Sequence, residues 1–464
     1  MKRKLALFLA ALVASMSLTA CSPQSQSSST AEATPTPTPA PIVVPEPVEQ
    51  TNKTLKIYYS DYASTPIMDA AVQLYQKQYP NVELEVEKSY SADLESYTTK
   101  YQQMANQIMA GEGPDLFVVD QVSMDVEKMA RQGVLADMEP FFEADDFDWD
   151  SYQKVVMDGG VWDGKRLVIP YTYCIPLAIT TQTALEETGF SVENCSDFMG
   201  FVDESNKILD NPENTRSLFC EAISARSFYM DAGIEFLNYD NKTVHLGSDE
   251  MKKGLEWYGK IVNAEGADQA VPSSLLMGAE MVWNKQALFD LPVAKSINQI
   301  NASYAALDTA DEAVMVPIRN VNGGITARID EAVAVRNNSE NLQNAYNFIK
   351  ILLSPECMSS AFGNATVTFS VLDQFNYDYW QDTLEYQPNN FYNYEGDAPF
   401  GEGGKPFSEE AFNELMGYID EIDDAYFSNR SGMINSMEPY FSGELSLDEA
   451  ISQTERELEL YLTE

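Results

Sequence analysis

The chain has 464 residues, 72 of them acidic and 29 basic, a single histidine and a formal net charge of −43 at pH 7. A negative field of that strength repels phosphodiester backbones, which excludes nucleic-acid binding, and it favours neutral or cationic small molecules over anionic ones. Apolar content of 44% is ordinary for a globular chain, and the length is too great for one typical domain and comfortable for two.

At the N-terminus, Lys2, Arg3 and Lys4 precede an apolar stretch from Leu5 to Val13, and small and polar residues then lead to Leu18, Thr19, Ala20 and Cys21. This is the pattern of a secretory signal peptide. Leucine and small residues directly before a cysteine resemble the bacterial lipobox. Residues 1–20 are therefore expected to be removed and Cys21 to carry acyl chains, anchoring the protein at the extracellular face of the cell membrane. The apolar stretch is too short for the roughly 20 residues of a membrane span. Residues 21–52 are dominated by Ser, Thr, Pro and Gln, with alternating Thr and Pro from Thr34 to Pro41. Such a segment buries too little apolar surface to fold and acts as a partly stiff spacer.

The body opens with KTLKIYYS, Lys53 to Ser60, which reads as a strand ending at Asp61 and Tyr62. From Pro66, Ile67, Ala71, Leu74 and Tyr75 recur at helical spacing, and Tyr79 and Pro80 close the helix. Asn81 to Glu87 alternates apolar and acidic residues as a second strand. A helix from about Ala92 to Met109 follows, and Asp115 to Asp120 (DLFVVD) is the apolar run of a buried parallel strand. Strand, helix, strand, helix, strand makes an α/β lobe, in which ligands bind beyond the carboxyl ends of the strands. Asp61, Tyr62 and Asp120 stand there, although aspartates at such junctions also cap helices.

Asp163 and Gly164 form a D-G turn before Arg166 to Pro170 and the stretch Tyr171, Thr172, Tyr173, where the chain can cross between lobes. Ser248 is a candidate N-cap for a helix over Asp249 to Val262. Ala279 to Trp283 and Ala313 to Ile318 read as strands, His245 as part of a short one, and Glu331 to Val335 as a strand before an amphipathic helix carrying Leu342, Ala345, Tyr346, Ile349 and Leu352. Cys174, Cys195, Cys220 and Cys357 lie in no CxxC pair and at no metal-ligand spacing. They allow three disulfide connectivities, and free buried thiols are the expectation.

These segments in this order resemble the bacterial extracellular solute-binding proteins of the family 1 type, relatives of sugar-binding receptors. The carriers are the lipobox and spacer, KTLKIYYS, YQKQYPNVELEVE, IMAGEGPDLFVVD, WDGKRLVIPYTY, SDEMKKGLEWYGKIV, NNSENLQNAYNFIKILLSPE and YFSGELSLDEAISQTERELELYL. The resemblance implies a two-lobed α/β fold of the periplasmic-binding-protein type II, with mostly parallel mixed sheets. One lobe would combine 53–172 with 322–366 and the other 173–321 with 367–464, closing by hinge motion over a solute. It further implies a monomer that delivers the solute to the permease subunits of an ABC importer, and neither enzyme nor cofactor.

The expected ligand contacts are Asp61, Tyr62, Asp120, Tyr171, Tyr173, Trp283 and Arg328, with Glu221 and Arg226 beside them. Aromatic rings stack on sugar faces and carboxylates bind hydroxyls, but each aromatic can equally belong to core packing. An oligosaccharide is the first expectation, with a peptide or polyamine behind it. Cys174 to Pro176 and MVWNKQ stand where sugar receptors often keep a carboxylate and a Gly-rich aromatic stretch. A secreted glycan hydrolase is the enzyme alternative, its two carboxyls drawn from acid-rich stretches such as Glu143 to Asp150. No HExxH, GxSxG or GxxxxGK[ST] motif occurs. Asp146, Asp148 and Asp150 mimic a calcium loop, yet Ser151 and Met157 stand where Gly and Glu are required, so no metal is expected.

Overall fold

The computed structural model describes residues 54–60, 65–89, 94–119, 124–220, 232–264, 277–290, 297–362, 368–385, 408–427 and 435–463. All belong to the compact unit spanning Val44–Glu464. In chain order the strands are β1 (Leu55–Ser60), β2 (Leu84–Ser89), β3 (Leu116–Val118), β4 (Val161–Trp162), β5 (Lys165–Arg166), β6 (Val168–Cys174), β7 (Leu177–Thr181), β8 (Ser217–Phe219), β9 (Leu237–Asn238), β10 (Thr243–Val244), β11 (Ala287–Phe289), β12 (Ala313–Pro317), β13 (Ile325–Val335), β14 (Phe369–Ser370) and β15 (Ile422–Phe427).

A seven-stranded sheet runs β14-β6-β13-β3-β1-β2, with β15 also on β13. Strand β1 pairs parallel with both β2 and β3. The helices Thr65–Gln78 and Leu94–Met109 supply the crossovers that parallel neighbours require. Buried residues at five of the six positions of β1 show that both its faces are covered. Strand β13 runs antiparallel to β3 and β6 but parallel to β15. The sheet is thus mixed, and its last two strands come from beyond residue 367.

A second set of strands lies between residues 177 and 317. Strand β7 pairs antiparallel with β12, and β8 pairs parallel with β11. Reciprocal 2.8 Å hydrogen bonds between Ile179 and Asp290 join the two pairs. The helices Phe198–Leu209 and Asp249–Val262 cover them, with the Trp257 ring edge-on to Phe198 at 5.7 Å and to Phe219 at 6.1 Å. Ser248 caps the second helix, its hydroxyl accepting from the Met251 N–H. At the D-G turn between β4 and β5, Asp163 and Gly164 take φ of 52° and 73°, the left-handed pair that a two-residue hairpin demands.

Asp115 shows how an aspartate at a strand end can serve structure alone. Buried, it accepts from the Lys56 N–H at 2.9 Å, the Ser339 hydroxyl at 2.6 Å and the Asn341 amide at 3.0 Å. One carboxylate thereby ties β1, the start of β3 and the lead into the helix Leu342–Leu352.

The sequence reading errs at Ala279 to Trp283, where the structure has a helix, Met277–Trp283, and places the strand later as β11. A short apolar run cannot distinguish the two periods by itself. Met, Ala and Glu favour the helix, and Lys285 at φ 59° ends the turn that follows it. His245 lies just beyond β10, exposed, with its N–H donating to the Phe236 carbonyl at 2.8 Å. Cys174, Cys195, Cys220 and Cys357 are all buried and unbridged. Among the described residues no helix is long and apolar enough to cross a membrane.

Candidate binding site

The centre of the site is set by strand register. β6 lines one side of β13 from Arg328 to Ala334, so β3 and β15 must share the other side. They arrive there from opposite directions. β3 ends opposite Val333, with the Val119 N–H reaching the Ala332 carbonyl, whereas β15 ends with Phe427 opposite Ile329. Between these two carboxyl ends only Asp330, Glu331 and Ala332 of β13 intervene, and the β6 register shifts on both sides of Glu331. A sheet whose strands end head to head leaves a gap over which ligands can bind, and β6 and β13 continue past it as a pair.

Glu331 sits in this gap, 7% exposed, with the Thr172 hydroxyl 3.5 Å from its Oε2. Sequence reasoning passed over it because EAVAV reads simply as a strand. The one signal available was a carboxylate opening a run of otherwise apolar residues.

Two adjoining cavities of about 390 and 400 Å³ flank β15 and share Glu127, Asp424 and Tyr426 in their walls. The first adds Trp162 and Phe427, whose rings stack at 5.9 Å and 21°. The second adds Arg131, Phe236 and Tyr239. Most of the acids have protein partners: Glu127 pairs with Arg131 at 3.0 Å, Asp158 with Arg166 at 3.2 Å, and Asp423 accepts from the Asn320 amide at 2.7 Å. The Asp424 carboxylate, exposed on β15, makes no hydrogen bond or ion pair to another described side chain, and Arg131 is the single basic residue among the described ones lining the cavities. The trough therefore offers aromatic faces and an open carboxylate, which suits hydroxyl-bearing or cationic solutes.

The residues expected from sequence distribute unevenly. Cys21, Asp61, Tyr62, Asp120, Glu221 and Arg226 lie outside the described residues. Ser60, the last described residue before Asp61 and Tyr62, ends β1, and Val119, the last before Asp120, directly follows its parallel neighbour β3. Tyr171 and Tyr173 lie in β6 with no exposed surface, and Tyr173 stacks on Phe369 at 5.6 Å. Both rings are core residues of the large sheet in this conformation. Trp283, 37% exposed, ends its helix and lines neither cavity. Arg328 is half-buried on β13 opposite Tyr426, and its carbonyl accepts from the Cys174 thiol at 3.7 Å.

Close to Tyr173, burial and then the neighbouring Asp420 push the Asp373 carboxyl up to about 6. The same two carboxylates, after burial, hold the Tyr173 hydroxyl well above its ordinary range. A carboxyl whose folded value exceeds its unfolded one favours folding only while protonated. This group therefore takes stability away as pH rises from about 4 to about 6. Asp373→Asn is expected to raise stability at pH 7 by about 1 kcal/mol, allowing for partial solvent screening, and to change it little at pH 4. Urea titrations at both pH values check this, and an equal effect at the two would contradict it.

The comparisons agree with the architecture. The model of the family described as bacterial extracellular solute-binding protein matches residues 70–383. No curated protein matches the chain. Among solved structures, the sugar-binding protein MalE from Xanthomonas citri superposes with a TM-score of 0.59 at 14% identity, over 88% of this chain and 97% of its own. The cyclic α-maltosyl-1,6-maltose binding protein from Arthrobacter globiformis gives 0.54 at 17% identity, over 88% and 98%. The ABC substrate-binding protein Lmo0181 from Listeria monocytogenes, solved with cycloalternan, gives 0.54 at 15% identity, over 89% and 99%. At such identities the likeness is one of fold, a mixed α/β architecture of the periplasmic solute-binding kind. Matched over more than half its length by the family model, the chain belongs to the bacterial extracellular solute-binding proteins.

Proposed function

We propose that this protein is the receptor of an ABC importer, held at the outer face of the cell membrane through Cys21, and that it captures an oligosaccharide and hands it to the permease without altering it. The observation that carries this reading is the head-to-head ending of β3 and β15 on β13, beside a trough of aromatic rings and carboxylates. Relatives of the same fold that are named for cyclic maltose oligomers or were solved with cycloalternan support the solute class. In this reading residues 53–172 and 322–366 form one lobe, 173–321 and 367–464 the other, and closure about the continuous strands gives the permease a loaded state to recognise. Trp162 and Tyr426 would stack on sugar rings while Glu331 and Asp424 take hydroxyls.

One observation favours a second reading. The trough walls hold six carboxylates against one arginine, and the whole chain carries −43 charges, a setting that also suits a polyamine or an amino-bearing sugar. A thermal-shift screen against neutral oligosaccharides, amino sugars, polyamines and peptides separates the two. A saturable rise in melting temperature with the solute recovered intact identifies the class. Recovery of a cleaved glycan would instead make the protein a hydrolase, and an increase with polyamines alone would replace the sugar reading.

A further inference from the structure

The short helix Val126–Arg131 meets the 239–240 turn and the C-terminal helix Leu447–Thr463 through contacts that no element of the large sheet requires. Arg131 is their hub. Its Nη2 pairs with Glu127 of its own helix at 3.0 Å, its Nη1 with Asp240 at 2.7 Å, and its guanidinium lies over the Tyr239 ring at 4.7 Å. Alongside, the Lys128 ammonium lies over the Tyr461 ring at 5.0 Å, the Tyr461 hydroxyl donates to Asp125, and Tyr239 meets Tyr461 edge-on at 6.5 Å. The Arg131 contacts to Asp240 and Tyr239, and the Lys128 and Asp125 contacts to Tyr461, join residues 125–131 to residues 239–240 and 461, and Arg131 and Tyr239 also form one wall of the second cavity.

We propose that Arg131 is a latch that holds the two lobes closed over the trough, acting on solute affinity by positioning the lobes and not by touching the solute. This rests on the two-lobed reading above, which puts Arg131 and Asp240 on opposite sides of the cleft. The chemistry suits a reversible fastening. A planar guanidinium can stack and pair at once, as an ammonium cannot. The Asp240 side chain is 81% exposed, so the pair is weak and salt-sensitive, and a tie that has to release solute must be weak. Glu127, nearly buried, keeps the guanidinium aimed across the gap whether or not Asp240 is engaged.

Spin labels on Lys77→Cys and Asp203→Cys, one in each lobe, read closure directly in the solute-free chain. Cys21→Ala removes the remaining reactive thiol, since the other four cysteines are buried. Two distance populations are expected. Arg131→Ala and, with the Glu127 pair left intact, Asp240→Asn should each move the ratio toward the longer distance by roughly threefold to tenfold. The double variant should add little to either, and 0.5 M NaCl should shift the parent chain but not Arg131→Ala. Two populations whose ratio ignores both substitutions would overturn the latch alone. A single distance shared by every variant and salt would overturn the hinge along with it.

Discussion

Replacing Tyr173 by alanine is expected to cost about 3 to 5 kcal/mol of stability, the range for emptying the site of a fully buried aromatic ring. The ring packs against Phe369 in the middle of β6, a strand buried at all seven positions, and β6 is one of the two strands that pass through the gap. Phenylalanine should behave oppositely. The Tyr173 hydroxyl is buried with no hydrogen-bond partner among the described residues and lies within the electrostatic influence of Asp373 and Asp420, so Tyr173→Phe removes a polar group whose burial is uncompensated. That variant should match the parent or exceed it by up to about 1 kcal/mol in urea melts. The pair discriminates between two roles. A ligand-binding hydroxyl would show itself if Tyr173→Phe kept stability but lost solute affinity.

The second large effect concerns binding. Trp162→Ala should lower affinity for the solute found in the thermal-shift screen at least tenfold, because it removes the stacking face that Phe427 supports from behind. Trp162 sits in a two-residue strand beside an exposed turn, so the fold should lose no more than about 1 kcal/mol. Isothermal titration of parent and variant checks the first number and urea melts the second. Affinity unchanged by Trp162→Ala would move the binding surface away from this cavity and toward the segments beyond β1 and β3. Glu331→Gln extends the test to the gap itself. It keeps the volume but removes the charge, so it should weaken a cationic solute far more than a neutral sugar.

Sequence legibility followed the range of the forces involved. Strands β1 to β3 and their two crossover helices were readable because alternation, apolar runs and the Pro66 and Pro80 boundaries are local features. The D-G hairpin and the Ser248 cap were readable for the same reason, since the demanded backbone conformation selects the residue. The helix Met277–Trp283 was not, because seven residues of mixed apolar character satisfy either period and only the neighbouring β11 decides. The aromatic candidates divided in a way composition could not foresee. Tyr171 and Tyr173 resemble binding residues in sequence but are fully buried, Tyr173 against Phe369 of β14, while Trp162, next to the D-G turn, opens onto a cavity.

The sequence by itself determined the class of fold, the family, the strongly acidic surface and the order of elements along the body, all of which depend on composition or on neighbours within a few turns. Tertiary structure alone decided that β15, almost a hundred residues after β13, lies on the same side of that strand as β3 and ends facing it. Pairing between strands so far apart in the chain is set by register and burial across the whole sheet. Glu331, Asp424 and Arg131 therefore reach the places on which their proposed roles rest only once these distant segments have met.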